Sequence, residues 1–122
     1  MPTRRAAKLV GTLVLLLAGA GCSHTVDART GVVRILVTEY RLVPQSVRAR
    51  PGELKIYVHN DGRLTHNLSV ARGPRTTGET QPIRPGQSAQ LTVTLTPGRY
   101  FMSSTILSDR DLGIYGTLTV TR

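Results

Sequence analysis

Few side chains in this sequence can do chemistry. The candidate metal ligands are three histidines (His24, His59 and His66), one cysteine (Cys22) and one methionine beyond the start (Met102), with Asp109 as a source of hard oxygen. Cys22 is the only cysteine, so no disulfide can close within the chain, and any thiolate chemistry rests on that one residue. A single imidazole binds metal weakly and without selectivity, so the histidines matter only where a fold gathers ligands around them. His24 lies in a polar stretch, and His59 alternates with apolar residues in a way that points it outward from its strand. His66 precedes Asn67 in a segment whose core side carries Leu68 and Val70.

Cys22 stands at the end of an export signal. Residues 1–8 carry Arg4, Arg5 and Lys8, and residues 9–20 are an apolar run broken by Thr12 and two glycines. That run has the length of a signal-peptide core and falls short of the roughly twenty residues a membrane span needs. It ends in Gly19-Ala20-Gly21-Cys22-Ser23, which looks like a bacterial lipobox, the signal after which a cysteine is acylated and becomes the mature N-terminus. Gly19 departs from the Leu, Val or Ile usual at its place, and cleavage at an ordinary signal-peptidase site, with no role for the cysteine, is the alternative. Two or three acyl chains give stable anchoring where one does not. The expected organisation is a lipoprotein signal peptide over 1–21, a lipidated Cys22 with a polar linker over 22–31, and one domain over 32–122. Such a protein is exported and held by lipid at the outer face of a bacterial cell membrane or in the periplasm.

The composition sets further limits. A chain of 122 residues, 39% hydrophobic, suits one domain with a modest core. Its formal charge is +9, or +6 once the three leader cations are set aside. The cations are too evenly spread to name nucleic acid as a partner.

The elements that must position the chemistry read as strands. Val32–Thr38 is rich in Val, Ile and Leu, Pro44 marks a turn or edge, and Val47 and Ala49 lead to a Pro51-Gly52 turn. Leu54, Ile56 and Val58 face one way while Lys55, Tyr57 and His59 face the other, the period of two that a half-buried strand requires. Asn60-Asp61-Gly62 closes that strand. Residues 72–85 hold two glycines and three prolines without periodicity and read as a long loop. Leu91, Val93 and Leu95 alternate with threonines, a Pro97-Gly98 turn opens a strand ending near Ser104, and Gly116 begins the last strand. No segment after the leader shows helical spacing. Seven or eight short strands with Pro-Gly punctuation predict an all-β, antiparallel Greek-key β-sandwich.

The last stretch, residues 97–120, together with His66-Asn67, resembles the ligand loop of the cupredoxins, the blue-copper family. There the loop runs Y-x-x-x-C-x-x-x-x-H-x-x-x-x-M-x-G-T-L-x-V. Laying Gly116-Thr117-Leu118-Thr119-Val120 on its end places Tyr100 on the Tyr, Ser104 on the Cys, Asp109 on the second His and Ile114 on the axial Met. Supporting elements occur in the family's order: Pro51-Gly52-Glu53, the strand ending in Asn60, the strand led by Pro85-Gly86, and Pro97-Gly98-Arg99-Tyr100. The resemblance covers 32–120 and implies a cupredoxin-like domain in which His66 is the one retained ligand position and Ser104, Asp109 and Ile114 are vacated ones. A type 1 copper site needs a thiolate in a His2Cys plane, and an acylated Cys22 offers none. The resemblance also implies a hydrogen bond tying the two ligand loops, here between Asn67 and Thr105.

Other readings of the same residues are weaker. Ser104, His66 and Asp109 are formally a triad, yet no nucleophile-elbow pattern surrounds Ser104, and no enzyme is expected. An unorthodox metal site would use His66 and Asp109, completed by His59, Met102 or His24, although Met102 has the parity of a core residue. Ile106, Leu107, Leu112, Ile114 and Tyr115 either fold inward to fill the space of the lost ion, which is the expectation, or lie outward as a docking patch rimmed by Arg63, Arg75 and Arg110. The expected function is that of an envelope-anchored, non-catalytic binding or interaction module without a cofactor. The alternative is copper binding or handling through His66. Its expected partners are the membrane, through the lipid, and an envelope protein.

Overall fold

The computed structural model describes residues 24–122, and the stretch expected to be a signal peptide, with Cys22, lies outside them. Ten strands form two sheets. They are β1 (Thr25–Asp27), β2 (Val32–Thr38), β3 (Arg41–Val43), β4 (Ser46–Ala49), β5 (Gly52–Asn60), β6 (Ser69–Arg72), β7 (Arg75–Glu79), β8 (Ser88–Leu95), β9 (Gly98–Ser103) and β10 (Tyr115–Val120). One sheet runs β1-β4-β10-β9-β6-β7 and the other β3-β2-β5-β8. Most pairs are antiparallel, while β2 with β5, β4 with β10 and β1 with β4 are parallel.

The period of two in the sequence becomes the inner face of each sheet. Val33, Ile35 and Val37 on β2, Leu54, Ile56 and Val58 on β5, and Leu91, Val93 and Leu95 on β8 are buried. Opposite them lie Val47, Val70, Tyr100, Met102, Leu118 and Val120. The two inner faces form one apolar core, and its burial is the main source of stability. Met102 belongs to this core, and His59 faces outward with its Nδ1 2.7 Å from Ser88 Oγ. Tyr100 pins the β8–β9 turn, accepting a bond from the Thr96 amide at 3.1 Å.

Three features depart from the sequence reading. The stretch expected as a linker is partly sheet: β1 pairs with β4, the Ala28 amide donates to Arg48 O at 2.7 Å, and the Ala28 side chain is buried. All three β1 side chains are exposed, so the strand is held by its backbone and leaves no apolar period to read. The segment 72–85 is likewise not a plain loop. It turns at Gly73, returns as β7 against β6 with a bulge between Val70 and Ala71, and then lays Ile83 beside His66 as an isolated bridge. Since β7 is an edge strand, Arg75, Thr76, Thr77 and Glu79 have no buried face to mark them. These short, exposed strands bring the total among the described residues to ten, where seven or eight were expected.

Candidate functional site

Three connections meet at one end of the sandwich: the β2–β3 turn, the β5–β6 segment with His66 and Asn67, and the β9–β10 loop over 104–114. The β5–β6 segment is held by Asn60, at the buried end of β5. Its amide nitrogen donates to Leu64 O and Ile83 O, both at 2.8 Å, and its oxygen accepts from the Gly62 amide at 2.9 Å. The His66 amide and carbonyl are paired with Ile83, so the imidazole enters the interior from a fixed backbone. The β9–β10 loop is closed by backbone bonds from Ser104 N to Ile114 O at 3.1 Å and from Ile114 N to Asp109 O at 2.9 Å.

The side chains brought together are His66, Ser104 and Asp109. Asp109 Oδ2 lies 2.7 Å from His66 Nδ1 and 2.6 Å from Ser104 Oγ, whose hydroxyl donates to it. His66 is fully buried, and Asp109 is nearly so. The other ring nitrogen, Nε2, lies 3.1 Å from Glu39 Oε1, which also accepts from the Arg63 and Leu64 amides at 2.7 Å each. Those contacts, the Leu64 amide first, then His66 and the Arg63 amide, outweigh desolvation and pull the Glu39 carboxyl from 4.5 to about 2. Gly62 makes this possible, since a Cβ there would sit 2.5 Å from Glu39 Oε1.

A second layer ties the loops. The Thr105 amide donates to Asn67 Oδ1 at 2.8 Å, and Asn67 Nδ2 donates to Thr105 Oγ1 at 2.9 Å and Glu79 Oε1 at 2.8 Å. Thr105 Oγ1 also donates to Glu79, and the Asn67 amide to Ser104 Oγ at 3.3 Å. Glu39 and Glu79 carry much of this network and were not singled out in the sequence. Each sits on a turn or edge strand whose pattern looks like solvated surface, and only pairing across the fold shows its role. Among the described residues every buried side-chain nitrogen and oxygen has a partner.

The order of these contacts decides what the cluster can do. In a serine hydrolase the base stands between nucleophile and carboxylate. Here Asp109 stands between Ser104 and His66, and His66 Nδ1 points at the carboxylate. The arrangement gives the serine no imidazole base. Ile114 is buried in the core and Ile106 is half-buried, whereas Leu107 is 97% exposed and Leu112 and Tyr115 are also exposed, so the inward filling expected of the loop's apolar residues is done mainly by Ile114, and Leu107, Leu112 and Tyr115 face out.

The two-sheet fold has its counterpart in known proteins. A family model described as a cupredoxin-like domain matches residues 9–120. The chain belongs to the cupredoxin-like domain family. Over 89 residues it is 29% identical to the iron uptake system component EfeO of Yersinia pestis, an alignment covering 73% of this chain and 23% of that protein. It therefore spans under a quarter of that relative. Among solved structures it resembles auracyanin from Roseiflexus castenholzii, with a TM-score of 0.70 at 17% identity over 77% of this chain and 99% of that one. It also resembles auracyanin A, a "blue" copper protein from Chloroflexus aurantiacus, with a TM-score of 0.63 at 15% identity over 74% and 99% of the two chains. At these identities the likeness is one of fold.

This cupredoxin-like domain does not present the donors of type 1 copper. Ser104 offers a hydroxyl, Asp109 a carboxylate and Ile114 an alkyl group, where that centre requires thiolate, imidazole and a weak axial ligand. Both His66 nitrogens are engaged by carboxylate oxygens, Nδ1 by Asp109 and Nε2 by Glu39. Among the described residues no three His, Cys, Asp or Glu side chains converge as a metal site. His24 is exposed at the start of β1, and His59 and Met102 are placed elsewhere, so none of the three completes a set with His66 and Asp109.

Proposed function

We propose that this chain is an exported, lipid-anchored cupredoxin-like protein that acts as a non-catalytic binding module at the bacterial envelope. The observation that supports this most is the double role of Asp109 Oδ2, which accepts from His66 and Ser104 and so joins two ligand positions directly. A polar network satisfied in this way rigidifies the loops that a copper ion would otherwise tie together. The similarity of part of the chain to an iron uptake component accords with an exported, non-enzymatic role. Anchoring rests on Cys22: Cys22→Ala is expected to release the protein from the membrane fraction, and continued sedimentation would refute it.

The module reading is tested by adding Cu2+ to the exported protein, purified without chelator and without a histidine tag, beside the triple variant Ser104→Cys, Asp109→His, Ile114→Met. The natural protein is expected to stay colourless and bind no copper tightly, while the variant turns blue. Uptake of one equivalent by the natural protein, abolished in His66→Ala, would replace this reading with copper handling.

A further inference from the structure

We infer that the end of the sandwich carrying Leu64, Leu107 and Leu112 rests on the bilayer to which the chain is anchored. The inference builds on the lipidation reading of Cys22, and its first support is the direction in which the chain enters the fold. Strand β1 runs parallel to β4, and β4 parallel to β10, with Thr25 and Thr117 both level with Ser46. Strand β10 begins at Tyr115, directly after the 104–114 loop, so β1 begins at the end of the sandwich where that loop lies. Cys22 precedes Thr25 by three residues, a reach of about 10 Å at full extension. An acyl anchor at Cys22 therefore brings this end, and not the opposite one, to the membrane surface.

What this end displays suits that contact. Leu107 is 97% exposed, Leu64 55%, Leu112 53% and Tyr40 51%. They come from the three connections that also build the His66 network, and a Cβ on Gly113 would lie 2.6 Å from Tyr40 O, which shows how closely the β2–β3 turn and the β9–β10 loop approach. Tyr40 and Leu107 are the two non-glycine residues with positive φ among the described residues, at 66° and 47°. A large apolar side chain held in that backbone region and turned into water costs free energy twice, and such outliers gather at functional surfaces. A groove of about 550 Å³ bordered by His24, Val26, Val43, Pro44 and Tyr115 lies at the same corner, beside the entering chain. Arg41, Arg63 and Arg110 are exposed here, with Asp61 and Asp111 among them, so apolar contact rather than charge favours the bilayer, in the manner of a shallow interfacial anchor.

Cys22 as the only cysteine makes the test clean, because acylation blocks its thiol. Leu107→Cys, Leu112→Cys and Thr121→Cys chains, the last at the opposite end beyond Val120, are matured in a bacterial host. They are labelled with an environment-sensitive dye and placed in vesicles of phosphatidylethanolamine and phosphatidylglycerol. The expected result is a blue shift at 107 and 112, lost when acyl chains carry bromine as quencher, with an unshifted signal at 121. Aqueous emission at all three positions in protein that floats with the vesicles would overturn the inference and leave the anchor standing. Protein that fails to float and takes dye on Cys22 would overturn the anchor reading and this inference with it. A shift at 107 that appears only when envelope proteins are added would assign the surface to a protein partner instead, and would equally overturn it.

Discussion

Because Asp109 Oδ2 meets both His66 Nδ1 and the Ser104 hydroxyl, its loss strands the buried ring nitrogen and leaves the hydroxyl only Asn67 Oδ1 at 3.1 Å, so the cost exceeds that of losing Ser104 alone. Asp109→Ala is expected to lower stability by about 2–4 kcal/mol, and Ser104→Ala, which leaves the carboxylate on His66, by about 1 kcal/mol. Urea midpoints check this, and equal losses would mean that the bridge contributes nothing as a unit. Glu39 gives a second residue-scale expectation, in pH. Its carboxyl is lowered on folding from 4.5 to about 2, so folding favours the ionised form. The stabilisation is complete above pH 4.5 and disappears as pH falls toward 2. The midpoint advantage of the natural protein over Glu39→Gln should thus be steady near neutrality and vanish across that acid window. An advantage that persists at the acid end would contradict the assignment.

At the scale of elements, close backbone contact decides which strands tolerate change. Gly116 is the second residue of β10, where a Cβ would clash with Gln45 O, a backbone atom just before β4 that cannot turn aside. Gly78, on edge strand β7, would meet the Val93 Cγ1 side-chain atom at 2.7 Å, and the edge strand, paired on one side only, can move outward to relieve it. Gly116→Ala is expected to cost about 2–3 kcal/mol and Gly78→Ala about 1 kcal/mol or less, read from thermal midpoints. The reverse order would show that β4 yields more readily than the edge hairpin. Asn60 acts between elements, since its three bonds fix the segment that delivers His66, yet it could be recognised in the sequence only as a strand end.

For the molecule as a whole, stability and display are divided between the body and one end. Ile56 is fully buried between the sheets, and Ile56→Ala is expected to lose about 2–5 kcal/mol in one cooperative transition. Leu107 touches water, and Leu107→Ala is expected to stay within about 0.5 kcal/mol of the natural chain. A large loss at Leu107 would mean that the loop packs inward and is no display surface. The same division accounts for a satisfied polar network beneath exposed leucines: the network holds three connections in place, and the apolar tips add nothing to the core.

The sandwich could be read from the chain because burial of one sheet face imposes a period of two. Leu54, Ile56 and Val58, or Leu91, Val93 and Leu95, admit little else, and the spacing from Tyr100 to Val120 was enough to align Ser104, Asp109 and Ile114 with the ligand positions of the family. Absence of a cysteine from the domain could likewise be counted directly. The backbone-held strand β1, the polar hairpin of β6 and β7, and the parts played by Glu39 and Glu79 came only with the tertiary structure. So did the order Ser104, Asp109, His66. Those features depend on bonds between residues 27 and 43 positions apart, such as Glu39 or Asp109 to His66, made by polar side chains that leave no periodic trace. A buried apolar face repeats along a strand and is therefore visible locally, whereas a hydrogen bond across the fold is specified only when both partners have been brought to the same place.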